Sequence, residues 1–162
     1  MIDLGWSAPI QRLDAGTARR GILWQHQQIR VLLEKGKAIA ERALDGLVPR
    51  SSDAVASTIG DLRQTMEIHL AFEEKVLMPL LADDLPLGPQ RAERLLDEHR
   101  RQRQTLATLH REASAHPELP TLAVKLAFLT SWLLADMDEE ELCFIIPDVV
   151  RDDIVVIDQA SG

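Results

Sequence analysis

Four long stretches of helical periodicity make up most of the chain, and proline-containing segments separate them. In the first stretch, the apolar residues recur at the spacing of one buried helix face: Ile22, Ile29, Leu32, Leu33, Ile39 and Leu44. The segments "GLVPRSSD", "ADDLPLGPQ" and "HPELP" interrupt the periodicity, because proline and glycine end helices. The sequence therefore predicts helices over about 17–46, 53–82, 89–115 and 121–146. Asp14 or Thr17 is a candidate N-cap of the first helix, and Ser51 or Ser52 of the second.

Helices of similar length joined by short connectors favour antiparallel neighbours. The predicted fold class is therefore all-α, an up-down-up-down four-helix bundle over about residues 18–147. We expect an irregular N-terminal arm over residues 1–16 and a short C-terminal tail over residues 148–162. A length of 162 residues suits one domain.

Composition excludes several classes of function. The formal net charge of -8 argues against binding to nucleic acid or to an anionic membrane, since both require a basic surface. No long uninterrupted apolar run and no signal-peptide pattern is present, so we expect a cytoplasmic protein. One cysteine, Cys143, cannot form a disulfide within the chain, and there is no CxxC pair or glycine-rich phosphate loop.

The segment "HLAFEEKVLMPLL", residues 69–81, places polar side chains in an apolar helix. His69 and Glu73 are four residues apart and so lie on one helical face. Burying an unpaired carboxylate costs roughly several kcal/mol. A buried Glu73 carboxylate would therefore need either a neighbouring cation or a proton. Glu74 lies about 100° further round the helix, where it would support the site or face solvent.

The other helices offer further inward donors. His26 shares a face with Ile22 and Ile29, His99 shares one with Leu95 and Leu106, and Asp136 precedes Glu140 by one turn. The chain also repeats itself loosely, since "WQHQQIRVLLEKG" resembles "LDEHRRQRQTLATL" and "HLAFEEKVLMP" resembles "DMDEEELCFIIP". Helix bundles build metal centres from such residues. The predicted metal ligands are His26, His69, Glu73, His99, Asp136 and Glu140. The alternative is that the histidines are hydrogen-bonded core residues and the acidic run is a solvated face.

These motifs resemble those of the hemerythrin-like proteins with HHE cation-binding domains, over residues of about 18–147. The segments "HQQIRVLL", "HLAFEEKVLMP" and "DEHRRQRQTL" carry the resemblance, in that order. The resemblance implies a four-helix bundle that holds one or two iron ions, and dioxygen, another small diatomic molecule or peroxide as a partner. Manganese or zinc in place of iron, and a monomer or a homodimer, stay open.

Two positions depart from the family pattern. Asp136 stands where the family has a histidine, although an alignment anchored on Pro147 would place Met137 and Glu141 there instead. Arg103 stands where oxygen carriers have a second histidine, and it could pair with Asp136. A set richer in carboxylates favours hard ions such as Fe(III) or Mn(II). We therefore expect a metal-binding protein that is a poor reversible oxygen carrier.

Three functions follow as hypotheses. The first is a non-haem metal-binding protein that acts in oxygen, redox or iron sensing, binding or detoxification. The second is a metal-free bundle that serves as an interaction module, and a weaker third is an oxidase or peroxidase-like enzyme. We further expect Trp24, Trp132 and Cys143 to be core residues and His110 and His116 to lie at the surface.

Overall fold

The structure is a computed structural model that describes residues 13–47, 53–83, 87–115 and 118–146. Over these ranges it contains four helices and no strand: α1 Ala15–Leu44, α2 Asp53–Asp83, α3 Gly88–Ser114 and α4 Leu119–Cys143. The predicted all-α four-helix bundle is confirmed. Most of the predicted N-terminal arm, the C-terminal tail and the candidate caps Ser51 and Ser52 lie outside the described residues.

The ends of α1 follow from its sequence. Asp14 is the N-cap, and its carboxylate accepts a hydrogen bond from the Thr17 amide at 2.7 Å. At the other end Gly46 adopts a φ of 71°, a left-handed conformation that glycine reaches without a steric penalty. The Leu47 amide then donates to the Arg42 carbonyl at 2.8 Å. The helix therefore ends at Leu44, two residues before the predicted boundary.

Helix α1 packs against α2 and α4, while α2 packs against α3. The approach is close at Gly36 of α1, because a Cβ atom there would lie 3.1 Å from Thr130 Cγ2 and 3.4 Å from Thr58 Cγ2. The absence of a side chain at residue 36 thus allows three helices to meet at this level.

Two apolar clusters fill the bundle, one on each side of a polar layer. The large apolar cluster includes Ile29, Leu33, Leu70, Leu106, Leu133 and Met137. The small apolar cluster includes Ile22, Phe72, Val76, Leu77, Leu95 and Phe144. Helices α1, α2 and α3 pass from one cluster to the other at buried polar residues: His26 in α1, His69 and Glu73 in α2 and His99 in α3. Glu140 occupies the same level in α4, and the chain enters the small apolar cluster at Phe144, directly after α4 ends. The polar layer is therefore enclosed by hydrocarbon above and below.

Helix α4 has the length and composition of a membrane-crossing segment, with a mean hydropathy of 1.3 over 18 residues. It is the only helix of this kind among the described residues. A core helix of a bundle meets the same criterion, and Leu126, Leu129 and Leu133 of α4 are buried in the large apolar cluster. The expected absence of a membrane partner stays a prediction.

Three predicted core residues differ in their exposure. Trp24 is 40% exposed and Cys143 is exposed, so the prediction that they belong to the core is wrong. Both lie on the outer side of helices whose opposite sides fill the core. Trp132 is partly buried and packs against the large apolar cluster. His110 is likewise only partly buried, and His116 lies outside the described residues.

Candidate metal centre

Three imidazoles from three helices converge on the carboxylate of Glu73. The Nε2 atoms of His69 and His26 lie 3.2 Å and 3.4 Å from Glu73 Oε1. On the other side of the carboxylate, His99 Nε2 lies 3.2 Å from Glu73 Oε2. All four side chains are at most 1% exposed. Helical geometry explains the α2 part of this arrangement, since His69 and Glu73 are one turn apart.

Helix α4 adds a second carboxylate to the cluster. Glu140 Oε2 lies 3.6 Å from His26 Nε2, and Glu140 is 8% exposed. One potential ligand atom from each of His26, His69, Glu73 and Glu140 lies within 4.8 Å of the other three. The rings of His26 and His69 pack edge to face, with centroids 4.9 Å apart. The bundle therefore brings two imidazoles and two carboxylates around one point, with His99 on the far oxygen of Glu73.

The opposite nitrogen of each imidazole is held by an oxygen acceptor. His26 Nδ1 donates to Glu141 at 2.7 Å, His69 Nδ1 donates to the Gln25 amide oxygen at 2.9 Å, and His99 Nδ1 donates to Glu74 at 3.1 Å. These acceptors place the hydrogen of a neutral ring on Nδ1. The lone pair of Nε2 then faces Glu73. Histidines that bind metals are commonly held in this way through their second nitrogen.

Several buried polar atoms at the centre lack hydrogen-bond partners among the described residues. They are His26 Nε2, His99 Nε2, Glu140 Oε1, Gln102 Oε1 and both carboxylate oxygens of Glu73. Native proteins leave few buried polar atoms unsatisfied, and each such atom calls for an explanation. A cation within the cluster would satisfy imidazole lone pairs and carboxylate oxygens together.

The electrostatics of the cluster favour a bound cation. Burial lowers the pKa of His69 to about 4, against the attraction of Glu73, so this ring is neutral at pH 7. Burial opposes the ionisation of Glu73, but attraction to His69 and the other imidazoles holds the pKa of Glu73 well below its ordinary value. A neutral Nε2 lone pair and an ionised carboxylate repel each other at 3.2 Å unless a positive charge lies between them.

The pKa values of two further groups are shifted towards the protonated form, which a cation would oppose. Burial and the negative charge of Glu73 raise the pKa of Glu140 well above its ordinary value, which favours a protonated carboxyl in the absence of a cation. Burial lowers the pKa of His99, but hydrogen bonds and charges from Glu73 and Glu74 outweigh it and raise the pKa of His99 overall. The residues present thus fit a metal ion with nitrogen and oxygen ligands.

Two predicted ligands, His99 and Asp136, are not part of the four-residue group, and of these two only His99 contacts Glu73. Asp136 is partly buried and accepts a hydrogen bond from Gln102 Nε2 at 2.5 Å. The alternative alignment through Met137 and Glu141 does not describe the centre either. Met137 belongs to the large apolar cluster, and Glu141 binds the outer nitrogen of His26. Ligation of a metal by the six predicted residues stays a prediction. Four of them, His26, His69, His99 and Glu140, lie around the fifth, Glu73.

Arg103 does not form the predicted ion pair with Asp136. Its guanidinium donates to Glu74 at 2.5 Å and to Glu67 at 3.2 Å, on the outer side of the bundle. The arginine is therefore directed away from Glu73, and Glu74 lies between its charge and His99. This arrangement removes the expected conflict between the arginine and a nearby cation.

Sequence reasoning missed three side chains that support the imidazoles. Gln25 accepts from His69, Glu141 accepts from His26, and Arg30 donates to Glu141 at 2.8 Å. One signal was available for Glu141, since "EE" recurs at Glu73–Glu74 and at Glu140–Glu141. Gln25 carried no such signal, because a glutamine beside an inward histidine is equally compatible with a solvent-facing position.

The fold and the cluster define a helical bundle with a buried group of residues that could hold a cation. The chain matches the family described as hemerythrin HHE cation binding domain over residues 19–144, and it belongs to that family. Comparison with curated proteins and with solved structures gave no significant match. The resemblance predicted from the three histidine motifs is confirmed.

Proposed function

We propose that this protein binds one non-haem iron ion, with His26, His69, Glu73 and Glu140 as its ligands. The observation that carries the proposal is the convergence of three Nε2 atoms on the buried Glu73 carboxylate, with every Nδ1 held from behind. Imidazole and carboxylate ligands with open positions are typical of non-haem iron sites. Bound iron would supply reversible exchange between Fe(II) and Fe(III).

A single ion is supported by the distribution of donors around Glu73. Oε1 of Glu73 faces two imidazoles, and Glu140 completes that group within 4.8 Å. Oε2 of Glu73 faces only His99 among the imidazoles of the described residues. The side chain one turn after His99 is Arg103, a residue without a metal-binding atom. A second ion would therefore have fewer strong donors than the first.

We further propose a role in the response to oxygen, redox state or iron, in the cytoplasm, rather than reversible oxygen transport. Two carboxylates in the ligand group make it a hard donor set, and such donors favour Fe(III) over Fe(II). Iron held by such ligands would be oxidised from Fe(II) to Fe(III) by oxygen or peroxide and would be reduced to Fe(II) only slowly. The proposed ligands are at most 8% exposed, and such burial would restrict reactants to small molecules.

Elemental analysis of protein purified without a metal-chelating tag tests the proposal. We expect near-stoichiometric iron, and we expect His69→Ala to lose both the iron and the thermal stabilisation that added Fe(II) gives under anaerobic conditions. His110→Ala is the matched control, because His110 of α3 is partly exposed and lies outside the four-residue group.

The competing hypothesis, a metal-free interaction module, makes the opposite prediction. In that case the purified protein would contain no metal and its melting temperature would not change with Fe(II), Mn(II) or Zn(II). Two ions per chain would contradict the single-ion proposal while supporting the site. A stable oxygenated form that loses oxygen under vacuum would contradict the proposed role.

A further inference from the structure

Two chains of hydrogen bonds run from the surface of the bundle to the imidazoles, and both have the order arginine, glutamate, histidine. In the first, Arg30 donates to Glu141 at 2.8 Å and Glu141 accepts from His26 Nδ1 at 2.7 Å. In the second, Arg103 donates to Glu74 at 2.5 Å and Glu74 accepts from His99 Nδ1 at 3.1 Å.

The two chains are related by the internal repeat of the sequence. Arg30 follows His26 by four residues, and Arg103 follows His99 by four residues, so each arginine lies one turn beyond its histidine. Each glutamate is the second member of a glutamate doublet on the neighbouring helix: Glu73–Glu74 in α2 and, at the end of a run of three glutamates, Glu140–Glu141 in α4. Because successive helical residues point about 100° apart, the first glutamate of a doublet faces the centre while the second reaches its rim. We call Glu74 and Glu141 the outer glutamates.

The exposure of these side chains matches an outer support. Arg30 and Arg103 are 29% and 28% exposed. Glu74 is 31% exposed and Glu141 is 28% exposed, whereas the histidines are at most 1% exposed. Arg30 is held a second time, by Asp138 at 2.7 Å, and Arg103 a second time, by Glu67 at 3.2 Å. Each arginine is thus fixed by two acids, and only one of the two touches a histidine.

We propose that Arg30 and Arg103 are positioning residues of the metal centre, each holding an outer glutamate that fixes a histidine with Nε2 directed at Glu73. This inference rests on the proposed function for its metal-binding consequence. The geometric part concerns only side chains of the chain itself, and it is testable without any metal. The third imidazole, His69, is held by the neutral Gln25 and serves as the internal reference.

Replacing Arg30 or Arg103 should change the metal affinity, and the direction of this change distinguishes a positioning role from simple charge repulsion of the metal. A positive charge near a cation site repels the cation, so removal of the arginine would tighten binding if charge alone mattered. Loss of a positioning residue instead releases the outer glutamate and weakens binding. Substitutions of groups that orient metal ligands lower metal affinity about 10- to 100-fold.

The first experiment measures the affinity for Zn(II) in competition with a chelator, in Arg30→Met, Arg103→Met and the control Arg100→Met. Arg100 lies on α3 beside His99, but it is 69% exposed and pairs only with Asp97 among the described residues. We expect the first two variants to bind Zn(II) about 10- to 100-fold more weakly, and the control to bind like the parent protein. Equal or tighter binding in Arg30→Met and Arg103→Met would overturn the proposal.

A double substitution tests whether Arg30 acts through Glu141. If it does, Arg30→Met, Glu141→Ala and the double variant lower the affinity by similar factors, because each breaks the same chain. Factors that multiply in the double variant would show independent effects and contradict the proposal. Arg30→Lys, which restores a donor to Glu141, should recover part of the affinity.

The second experiment uses metal-free protein and NMR spectroscopy of the imidazole groups. We expect the Nδ1 proton of His26 to exchange faster with solvent in Arg30→Met, while the protons of His69 and His99 are unchanged. Arg103→Met should affect His99 alone. Unchanged exchange in both variants would refute the positioning role even if the parent protein binds metal. Selective changes in a protein that binds no metal would support the positioning role and refute the proposed function.

Discussion

Metal binding at this centre should release protons, and the structure indicates which groups supply them. Burial and the charge of Glu73 raise the pKa of Glu140, which favours its protonated form in the metal-free protein. It must lose that proton to become a ligand. His99 also has a raised pKa, since Glu73 and Glu74 outweigh its burial, and a cation beside Glu73 would disfavour its protonated form. His69 releases no proton on metal binding above about pH 5, because its pKa is about 4 and the ring is already neutral.

The magnitude follows from this inventory. One proton from Glu140 makes the metal affinity rise about tenfold per pH unit below the raised pKa of Glu140. A second proton from His99 brings the dependence to at most about a hundredfold per pH unit. Calorimetric titration with Zn(II), in buffers that differ in their enthalpy of ionisation, measures the number of protons released.

Glu140→Gln is the informative variant, because glutamine keeps the size of the side chain and has no proton to lose. We expect its metal binding to be weaker and its proton release to be lower by one. The reasoning is refuted if the parent protein binds metal without releasing protons. It is equally refuted if Glu140→Gln releases as many protons as the parent protein does.

Two further predictions concern the stability of the bundle. In the metal-free protein, the raised pKa of Glu140 stabilises the folded state at low pH, and this stabilisation is lost as the pH rises above 4.5, the ordinary pKa of glutamate. The lowered pKa of His69 has the opposite effect and offsets the loss up to pH 6.5, the ordinary pKa of histidine. Above pH 6.5 only the groups with raised pKa values, Glu140 and His99, still affect the balance. Each of them that is titrating should lower the free energy of unfolding, measured in urea, by about 1.4 kcal/mol per pH unit. A rise of this free energy with pH would contradict the raised pKa values. Gly36→Leu should lower the free energy of unfolding by about 1–3 kcal/mol, because even a Cβ atom would lie 3.1 Å from Thr130 Cγ2; Lys37→Leu, at a partly exposed neighbouring position, is the control.

Helical periodicity was sufficient to predict the fold and the inward direction of most site residues. His26, His69 and His99 each occupy a position in an apolar stripe, and a stripe fixes the angle of a residue around its helix. The four-residue spacing of His69 and Glu73 likewise fixed their contact within one helix.

The fourth helix was harder to predict, because "DMDEEE" places acids around most of the helix surface. Small differences in helix rotation then decide whether Asp136, Glu140 or Glu141 faces the centre. In the structure Glu140 points inward. Asp136 accepts a hydrogen bond from Gln102, and Glu141 accepts one from His26. Apolar flanks also misled at Cys143, which follows Leu142 but is exposed.

Contacts between helices could not be read from the sequence. Arg103 could pair with acids of α2 or of α4 as far as the sequence shows, and the sequence does not say which one it reaches. The predicted partner was Asp136 on α4, whereas the observed partners, Glu67 and Glu74, are on α2. Periodicity gives the direction of a side chain, but the partner depends on how two helices slide and rotate against each other.

The polar layer between the two apolar clusters has a consequence for local opening of the bundle. Hydrocarbon contacts make each cluster cohesive, but the layer that joins them contains unsatisfied polar atoms instead. We therefore expect the two ends of the bundle to unfold in separate steps in the metal-free protein, which amide hydrogen exchange would report as two units with different protection. An ion bound by three helices would couple the two units, so that the bundle opens as one.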